Sequence, residues 1–262
     1  MVLNDQSQIA ILVLSCDKYS DLWEPVLLRT KKIWADCPYK IYLGVNQMTP
    51  SFEHVQILNS GEDTDWSTSL LKILDKISER YIFLTLDDVF LITKPDAIGF
   101  SRAFSRLISG EIAHIHMRPM PSPDVISDDL GLYEKGAPYA VNVLGFWNKK
   151  HLRDLLIPGE DPWMFEIMGS YRASLKSEKF GCLTSPLFKY FHAVDKGKWV
   201  FNIKQWNRKL ELELALDRRK IAAPWNTIVF HTKHFLFNIS IRLPWRYRLR
   251  IMNFLRKILC SY

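Results

Sequence analysis

Strand-like apolar segments alternate with helix-like segments along the first third of this chain. Four segments are predicted to be strands: Ile9–Ser15, Lys40–Asn46, His54–Leu58 and Tyr81–Leu86. The first and last are almost continuously apolar, which is typical of strands buried on both faces of a parallel sheet. Helices are predicted from Asp17 to Trp34 and from Trp66 to about Arg80. This β-α-β-β-α-β order predicts an α/β, Rossmann-like fold with a mainly parallel central sheet.

The remainder of the chain also contains predicted strands and helices, without an internal repeat or a linker rich in Gly or Ser. The further predicted elements are a helix over Asp96–Leu107, a strand over Ala113–Met117, a strand over Ala140–Trp147 and a helix over Gly159–Ser174. A proline-rich loop, Arg118–Pro138, joins the two strands of this group. The loop either shapes a pocket or only crosses the surface. We therefore predict one domain over residues 1–240, followed by a separate segment over residues 241–262.

The basic residues are concentrated at the end of the sequence. Residues 218–262 carry ten basic and no acidic side chains, so the remaining 25 basic and 28 acidic residues give residues 1–217 a net charge of −3. After Pro244, a helix is predicted in which basic and apolar side chains separate onto two faces. One face carries Arg246, Arg250, Asn253 and Lys257; the other carries Trp245, Leu249, Met252, Leu255, Ile258 and Leu259. This basic amphipathic C-terminal helix fits either an anionic membrane surface or docking on its own domain.

The composition limits the class of protein. Hydrophobic residues make up 48% and charged residues 24% of the chain, which excludes a disordered or collagen-like sequence. No apolar stretch approaches the roughly 20 residues of a membrane-spanning helix. The N-terminus lacks the pattern of a secretion signal, and the four cysteines form no zinc-ligand spacing. We expect a cytoplasmic protein, peripheral at most on the inner face of the cytoplasmic membrane. Because the basic character is local, we expect no nucleic acid as a partner.

Three polar segments follow predicted strands or precede a predicted helix at one edge of the sheet. They are Ser15–Tyr19, Asp65–Trp66 and Asp87–Asp88. In open α/β sheets, ligands bind beyond the carboxyl ends of the strands. Two adjacent carboxylates directly after a buried strand suit Mg²⁺ or Mn²⁺ bridging a diphosphate. Alternatively, the two Asp residues satisfy backbone N–H groups in a turn or helix cap.

These segments resemble those of GT-A glycosyltransferases. The segment Ile-Phe-Leu-Thr-Leu-Asp-Asp-Val-Phe-Leu is similar to the metal-binding strand end of that family, although Asp-Asp replaces a strict Asp-x-Asp. Ile-Leu-Val-Leu-Ser-Cys-Asp-Lys-Tyr is similar to its nucleotide-contacting first strand. The likeness covers residues 9–92 well and the rest loosely, which implies a nucleotide-binding part at about 9–92 and an acceptor part at about 110–240.

The resemblance implies roles for individual residues. Binding of the nucleotide sugar is assigned to Ser15, Asp17, Tyr19, Asp65, Trp66 and Asp87. A divalent metal, Mn²⁺ or Mg²⁺, is assigned to Asp87, Asp88 and His231, the last on a weak likeness, since a lone His after an apolar run is more often structural. In inverting members, a carboxylate near residues 159–166 is the general base. Glu166, between two apolar residues, and Asp161, which also suits a helix N-terminus, are the candidates.

The expected activity is transfer of a sugar from a nucleotide-sugar donor, a UDP-sugar first, to a glycan or lipid-linked acceptor. The chain looks like transferases of bacterial capsule and lipopolysaccharide assembly. Two alternatives stay open: a glycan-binding or scaffold protein of the same fold without catalysis, and a sugar nucleotidyltransferase. The second should have a Gly-rich, basic loop after the first strand to hold triphosphate, and Ser15–Tyr19 contains no glycine.

Overall fold

The computed structural model describes residues 6–134 and 140–223, together with the isolated positions 235, 247, 250 and 254. The helices are α1 Ser20–Ile33, α2 Trp66–Lys76, α3 Ala97–Ile108, α4 Lys149–Leu155, α5 Pro162–Ser174 and α6 Ile203–Leu210. The longer strands are β1 Ile9–Leu14, β2 Lys40–Val45, β3 Val55–Asn59, β4 Tyr81–Leu86, β8 Leu130–Tyr133, β9 Gly145–Asn148 and β10 Phe180–Leu183. The shorter strands are β5 Val89–Leu91, β6 His114–His116, β7 Val125–Ser127, β11 Tyr190–His192, β12 Val194–Asp195 and β13 Lys198–Trp199.

Within the described residues, nine strands form one mixed sheet in the order β3-β2-β1-β4-β9-β6-β10-β8-β7. The strands β3, β2, β1 and β4 are parallel, whereas β9 is antiparallel to both β4 and β6. β10 is parallel to β6, and only β8 and β9 run against the common direction. The α/β fold with a mainly parallel sheet is thus confirmed. The order β3-β2-β1-β4 places a reversal of winding at β1, where Rossmann-like sheets bind ligands.

Both faces of the sheet are covered, which explains the continuous apolar run of β1. Ala10, Leu12 and Leu14 face one core cluster together with residues of α2, α4 and α5. Ile9 and Ile11 face a second cluster that includes residues of α3. All six side chains of β1 are therefore buried, alternately on the two faces, as in a strand that lies inside a parallel sheet.

The predicted element bounds agree best in the first half of the chain. β1, β2, β3 and β4 agree with their predicted bounds to within one residue. The predicted loop over 118–138 needs correction, because β7 and β8 lie inside it and pair as a hairpin at the end of the large sheet. Residues 135–138 of that loop lie outside the described residues, as does the predicted strand before His231.

The predicted C-terminal helix over residues 241–262 lies outside the described residues, apart from three isolated positions. Its membrane association therefore stays a prediction. In the part of the chain that the structure describes, no helix is both long enough and apolar enough to cross a membrane.

Candidate functional site at the carboxyl edge of the sheet

The carboxyl ends of β1 and β4 meet through a hydrogen bond between side chains. The Ser15 hydroxyl, directly after β1, donates to the Asp87 carboxylate, directly after β4. The same hydroxyl accepts a hydrogen bond of 2.6 Å from the indole Nε1 of Trp23 on α1. β1 and β4 are parallel neighbours in register from Ile9–Tyr81 to Leu14–Leu86, so their following residues emerge side by side. This pairing brings two of the predicted site residues together.

The Asp87–Asp88 pair carries more negative charge than its surroundings compensate. Both residues are buried, at 7% and 9% exposure. Burial, and next the charge of Asp88, raise the pKa of Asp87 well above its usual value, although the Ser15 hydrogen bond lowers it. Asp88 Oδ1 is buried without a hydrogen-bond partner among the described residues. A bound cation would relieve both conditions, because it would stabilise the ionised pair.

The donor atoms at the Asp pair fit Mg²⁺ or Mn²⁺ in one respect. Such ions are often held by one or two carboxylates and complete their shell with water and phosphate oxygens. In the part of the chain that the structure describes, no group of three or more His, Cys, Asp or Glu side chains is arranged to hold a metal ion. The third predicted ligand, His231, lies outside the described residues. The pair therefore suits an ion that takes several ligands from its substrate.

His192 is the partner of Asp88 that the sequence did not reveal. β11 pairs antiparallel with β5, and this pairing sets His192 opposite Val89. Its Nδ1 consequently lies 3.1 Å from Asp88 Oδ2. Burial lowers the pKa of His192, but the hydrogen bond and charge of Asp88 outweigh it and raise the pKa above its usual value. No local pattern around Tyr190–His192 signals this position, because it depends on a pairing between segments about 100 residues apart.

Glu166 on α5 is linked to the same site through the charge of His192. It is half-buried, and Oε1 accepts a hydrogen bond of 3.1 Å from the backbone N–H of Val143. Burial raises the pKa of Glu166 to about 7, although the Val143 N–H and the charge of His192 lower it. The carboxyl group of Glu166 therefore lies within electrostatic reach of the imidazole that contacts Asp88. It has the proton affinity expected of a general base at neutral pH.

Asp161, the other candidate base, has a structural contact. Its carboxylate accepts a hydrogen bond of 2.7 Å from the Met164 N–H and caps α5, with Pro162 at the first helical position. An Asp at this place satisfies an N–H group that the helix leaves without a partner. Glu166 also accepts one backbone N–H, but it differs from Asp161 in its buried surroundings and raised pKa.

Of the predicted nucleotide-binding residues after β1, Asp17 contacts a neighbouring loop, whereas Tyr19 lies near the Asp87–Asp88 pair. The Asp17 carboxylate accepts hydrogen bonds of 2.9 to 3.1 Å from the backbone N–H groups of Asn46, Gln47 and Met48. It therefore joins the loop after β1 to the loop after β2. Tyr19 lies half-buried under the guanidinium of Arg219, which is 4.2 Å from the ring centroid. The charge of Asp87 also reaches Tyr19, so this ring lies close to the Asp pair.

Arg219 is a second residue that the sequence did not reveal. It forms a two-pronged ion pair with Asp21, with Nε at 2.8 Å and Nη2 at 2.5 Å from the carboxylate, and only 10% of its side chain is exposed. It belongs to the segment after the 3₁₀ turn Leu216–Arg218. The basic sequence at 218–220 does not indicate that one of its residues packs on the segment after β1.

Asp65 and Trp66 lie beside α5 and have no described hydrogen bond or ion pair to Asp87 or Asp88. The Asp65 carboxylate caps α2 by accepting a hydrogen bond of 2.8 Å from the Thr68 N–H. Burial acts to raise the pKa of Asp65, but the hydrogen bonds at this cap outweigh it and lower the pKa. The Trp66 ring lies 5.4 Å from that of Phe165, the neighbour of Glu166. Both residues therefore border the Glu166 side of the site.

Comparisons with known proteins give likenesses of fold. No protein-family model matches the chain, and no curated protein sequence matches it. It is similar to S. aureus TarS with a TM-score of 0.49 and 8% identity, over 89% of this chain and 43% of that one. For S. aureus TarS 1–349 in complex with UDP-GlcNAc the values are 0.49 and 10%, over 89% and 72%. For UTP-bound UGPase from Acinetobacter baumannii they are 0.46 and 14%, over 86% and 98%.

This chain spans less than half of the length of the first of these proteins. Likenesses of this degree identify no activity, so the activity has to be inferred from the site itself.

Proposed function

We propose that this protein transfers a sugar from a nucleotide-sugar donor, a UDP-sugar in the first instance, to a hydroxyl of a glycan or lipid-linked acceptor. One observation carries the proposal. The buried Asp87–Asp88 pair lies at the carboxyl edge of the sheet, and Glu166, with a pKa of about 7, lies within electrostatic reach of His192, which contacts Asp88. We further propose that the acceptor belongs to surface polysaccharide assembly at the inner face of the cytoplasmic membrane.

The donor fits the crevice beyond β1 and β4, because ligands of such sheets bind where the winding reverses. Ser15, Asp17 and Tyr19 follow β1, and Asp87 follows the neighbouring strand β4. We assign the nucleotide to these residues. We assign the donor sugar to the side of Asp65 and Trp66, which lies toward α5.

Asp87 and Asp88 are the residues that would hold a divalent metal. When bound there, Mg²⁺ or Mn²⁺ supplies charge neutralisation to the leaving diphosphate. The unpartnered Oδ1 of Asp88 and the raised pKa of Asp87 support this assignment, since both indicate that His192 and Arg219 compensate the charge of the pair only in part.

Glu166 is assigned the role of general base. The acceptor oxygen forms a bond to the anomeric carbon, the bond from that carbon to the diphosphate oxygen breaks, and Glu166 takes the proton of the acceptor hydroxyl. The nucleoside diphosphate leaves with the electron pair of the broken bond. Attack from the side opposite the leaving group inverts the configuration of the sugar.

A nucleotidyltransferase is less well supported by this site. Such an enzyme holds a triphosphate, usually on a Gly-rich loop at a helix N-terminus after the first strand. Here the loop is Ser15–Tyr19, and the Asp17 carboxylate occupies the backbone N–H groups of the neighbouring loop. The loop Ser15–Tyr19 contains no glycine, so it lacks the feature on which such enzymes usually hold a triphosphate.

The test is calorimetric titration with UDP-, GDP-, CMP- and dTDP-sugars, first with Mn²⁺ and then with EDTA. Wild type is compared with Asp87→Asn/Asp88→Asn, which keeps the shape of the side chains and removes their charge. Asp36→Asn is the matched control. Asp36 precedes β2 and therefore lies at the opposite edge of the sheet, and its exposed carboxylate pairs with Lys94. We expect metal-dependent binding of one nucleotide class, lost in the double variant and kept in the control.

Two outcomes would contradict the proposal. If folded wild type binds no nucleotide sugar under any condition, the scaffold alternative is favoured. If it binds nucleoside triphosphate more tightly than nucleotide sugar and releases pyrophosphate, the nucleotidyltransferase alternative is favoured.

A further inference from the structure

We propose that Arg118 and His116, at the carboxyl end of β6, form a subsite for a negatively charged group carried by the acceptor, either a carboxylate or a phosphate. Tyr190, whose ring contacts Arg118, also contacts His192, the imidazole that contacts Asp88. The identity of the ligand as an acceptor rests on the proposed function, whereas the anion-binding property of the subsite does not.

Arg118 is an exposed cation held in place by an aromatic ring. Its guanidinium lies 4.4 Å from the centroid of the Tyr190 ring. Contact with the ring and a hydrogen bond with the Tyr190 phenol restrict the guanidinium, and the remaining N–H groups belong to the fork that matches carboxylate and phosphate oxygens. Among the described residues, Arg118 forms no ion pair with a carboxylate. The positive charge is therefore oriented without being neutralised.

His116 provides an independent observation beside Arg118. Its ring is 7% exposed, and Nδ1 is buried without a hydrogen-bond partner in the described part of the chain. Burial, and next the charge of Arg118, lower the pKa of His116 to about 3, so the ring is neutral at physiological pH. By contrast, the adjacent His114 has both ring nitrogens in contact with backbone groups, with Nδ1 at 2.9 Å from Phe146 O and the Asn142 N–H at 3.3 Å from Nε2. An unpartnered buried nitrogen next to an unpaired guanidinium indicates a place for a polar ligand group.

A continuous row of side chains joins this subsite to the proposed reaction centre. The Tyr190 ring that supports Arg118 lies 5.6 Å from the His192 ring, and His192 Nδ1 lies 3.1 Å from Asp88 Oδ2. One phenol and one imidazole thus separate the guanidinium from the Asp pair. A ligand that spans this row would have its charged group on Arg118 and its reactive end near Asp88.

The position of β6 in the sheet assigns this charged group to the acceptor rather than to the donor diphosphate. β9 lies between β4 and β6, so the end of β6 is two strand spacings, about 10 Å, from the end of β4. The donor crevice lies on the β1 side of β4. Arg118 thus lies on the opposite side of β4 from the donor crevice, which favours a charged group of the second substrate over the diphosphate held at Asp87 and Asp88.

The test measures binding of simple probes with EDTA present and without any nucleotide sugar. The probes are two matched pairs that differ in one charged group: methyl glucuronide against methyl glucoside, and glycerol phosphate against glycerol. Ligand-observed NMR or calorimetry gives the ratio of affinities within each pair. We expect wild type to prefer at least one charged probe about tenfold, which is the order expected for a charge-assisted hydrogen bond. Which pair shows the preference distinguishes a carboxylate from a phosphate.

Variants at position 118 decide whether this residue is responsible. Arg118→Gln should abolish the preference, and Arg118→Lys should keep part of it, because Lys retains the charge and loses the two-pronged geometry. Arg102→Gln is the matched control, since Arg102 is exposed but already paired with Asp129 at 2.8 Å. Arg102→Gln should leave the preference unchanged.

Three results would overturn the proposal: no preference in folded wild type, the same preference in Arg118→Gln, or equal losses in Arg118→Gln and Arg102→Gln. A further arm compares UDP-glucuronic acid with UDP-glucose in the presence of Mn²⁺. If Arg118→Gln affects only this donor pair, the charged group belongs to the donor sugar and the acceptor assignment is wrong. Because the simple probes need neither donor nor metal, a failure of nucleotide-sugar binding leaves the test of the subsite intact.

Discussion

A carboxyl group that accepts a proton from a hydroxyl near neutral pH needs a pKa raised toward that pH, and Glu166 meets this condition through burial. Glu166→Gln should lower the transfer rate by about 10²- to 10⁴-fold while donor binding stays unchanged. In wild type the rate should rise with pH through about 7 and level off above it, because the base acts only when ionised. Initial rates between pH 5.5 and 8.5, as a rough span around that pKa, test both statements.

The neighbouring carboxylate provides the control for this prediction. Asp161→Asn should keep the rate and its pH dependence, since Asp161 accepts a hydrogen bond as the cap of α5. If Asp161→Asn removes the rise of the rate with pH and Glu166→Gln keeps it, the general base is Asp161 and the assignment to Glu166 is wrong.

The element that carries Glu166 is anchored by a buried ion pair. On α5, Arg172 contacts Glu160 with two hydrogen bonds of 2.8 and 2.6 Å, and the side chains are 21% and 8% exposed. The Glu160 carbonyl in turn accepts hydrogen bonds from the backbone and hydroxyl of Ser67, in the first turn of α2. Arg172→Met leaves the Glu160 carboxylate buried without its partner, which should lower the free energy of unfolding by on the order of 3 kcal/mol.

Urea denaturation monitored by circular dichroism measures this loss. Lys94→Met is the matched control, because the Lys94–Asp36 pair has exposed side chains and should contribute less than about 1 kcal/mol. Similar losses in the two variants would mean that the Arg172–Glu160 pair does not anchor α5.

The sequence predicts the long strands β1 and β4 of the sheet but not the short strands β5 and β11. For β1 and β4 the predicted bounds agree to within one residue because long apolar runs with polar ends indicate burial on both faces. The short strands β5 and β11 were missed, since three residues hold no periodicity and each strand exists only through the other. The same pairing brings His192 to Asp88, a contact that no local pattern in the sequence indicates.

Across the whole molecule, charge is divided between the two ends of the sequence. Residues 1–217 have a net charge of −3, while residues 218–262 contain ten basic and no acidic residues. Within this basic segment, Arg219 packs on the domain: it forms an ion pair with Asp21 and covers the ring of Tyr19. In the sequence-based interpretation, the basic residues of 241–262 contact an anionic partner.

We predict that the whole protein cosediments with vesicles of phosphatidylserine and phosphatidylcholine at low salt, and that this binding falls steeply as salt is added. Each basic residue near such a surface contributes about 1 kcal/mol, so Arg246→Gln/Arg250→Gln should weaken binding roughly 30-fold. The matched control is Arg102→Gln/Arg153→Gln, which removes the same charge from α3 and α4. Equal binding of both variants would contradict a role for the C-terminal segment. Absence of binding by wild type would instead favour docking of that segment on its own domain, since the same apolar face then has an internal partner.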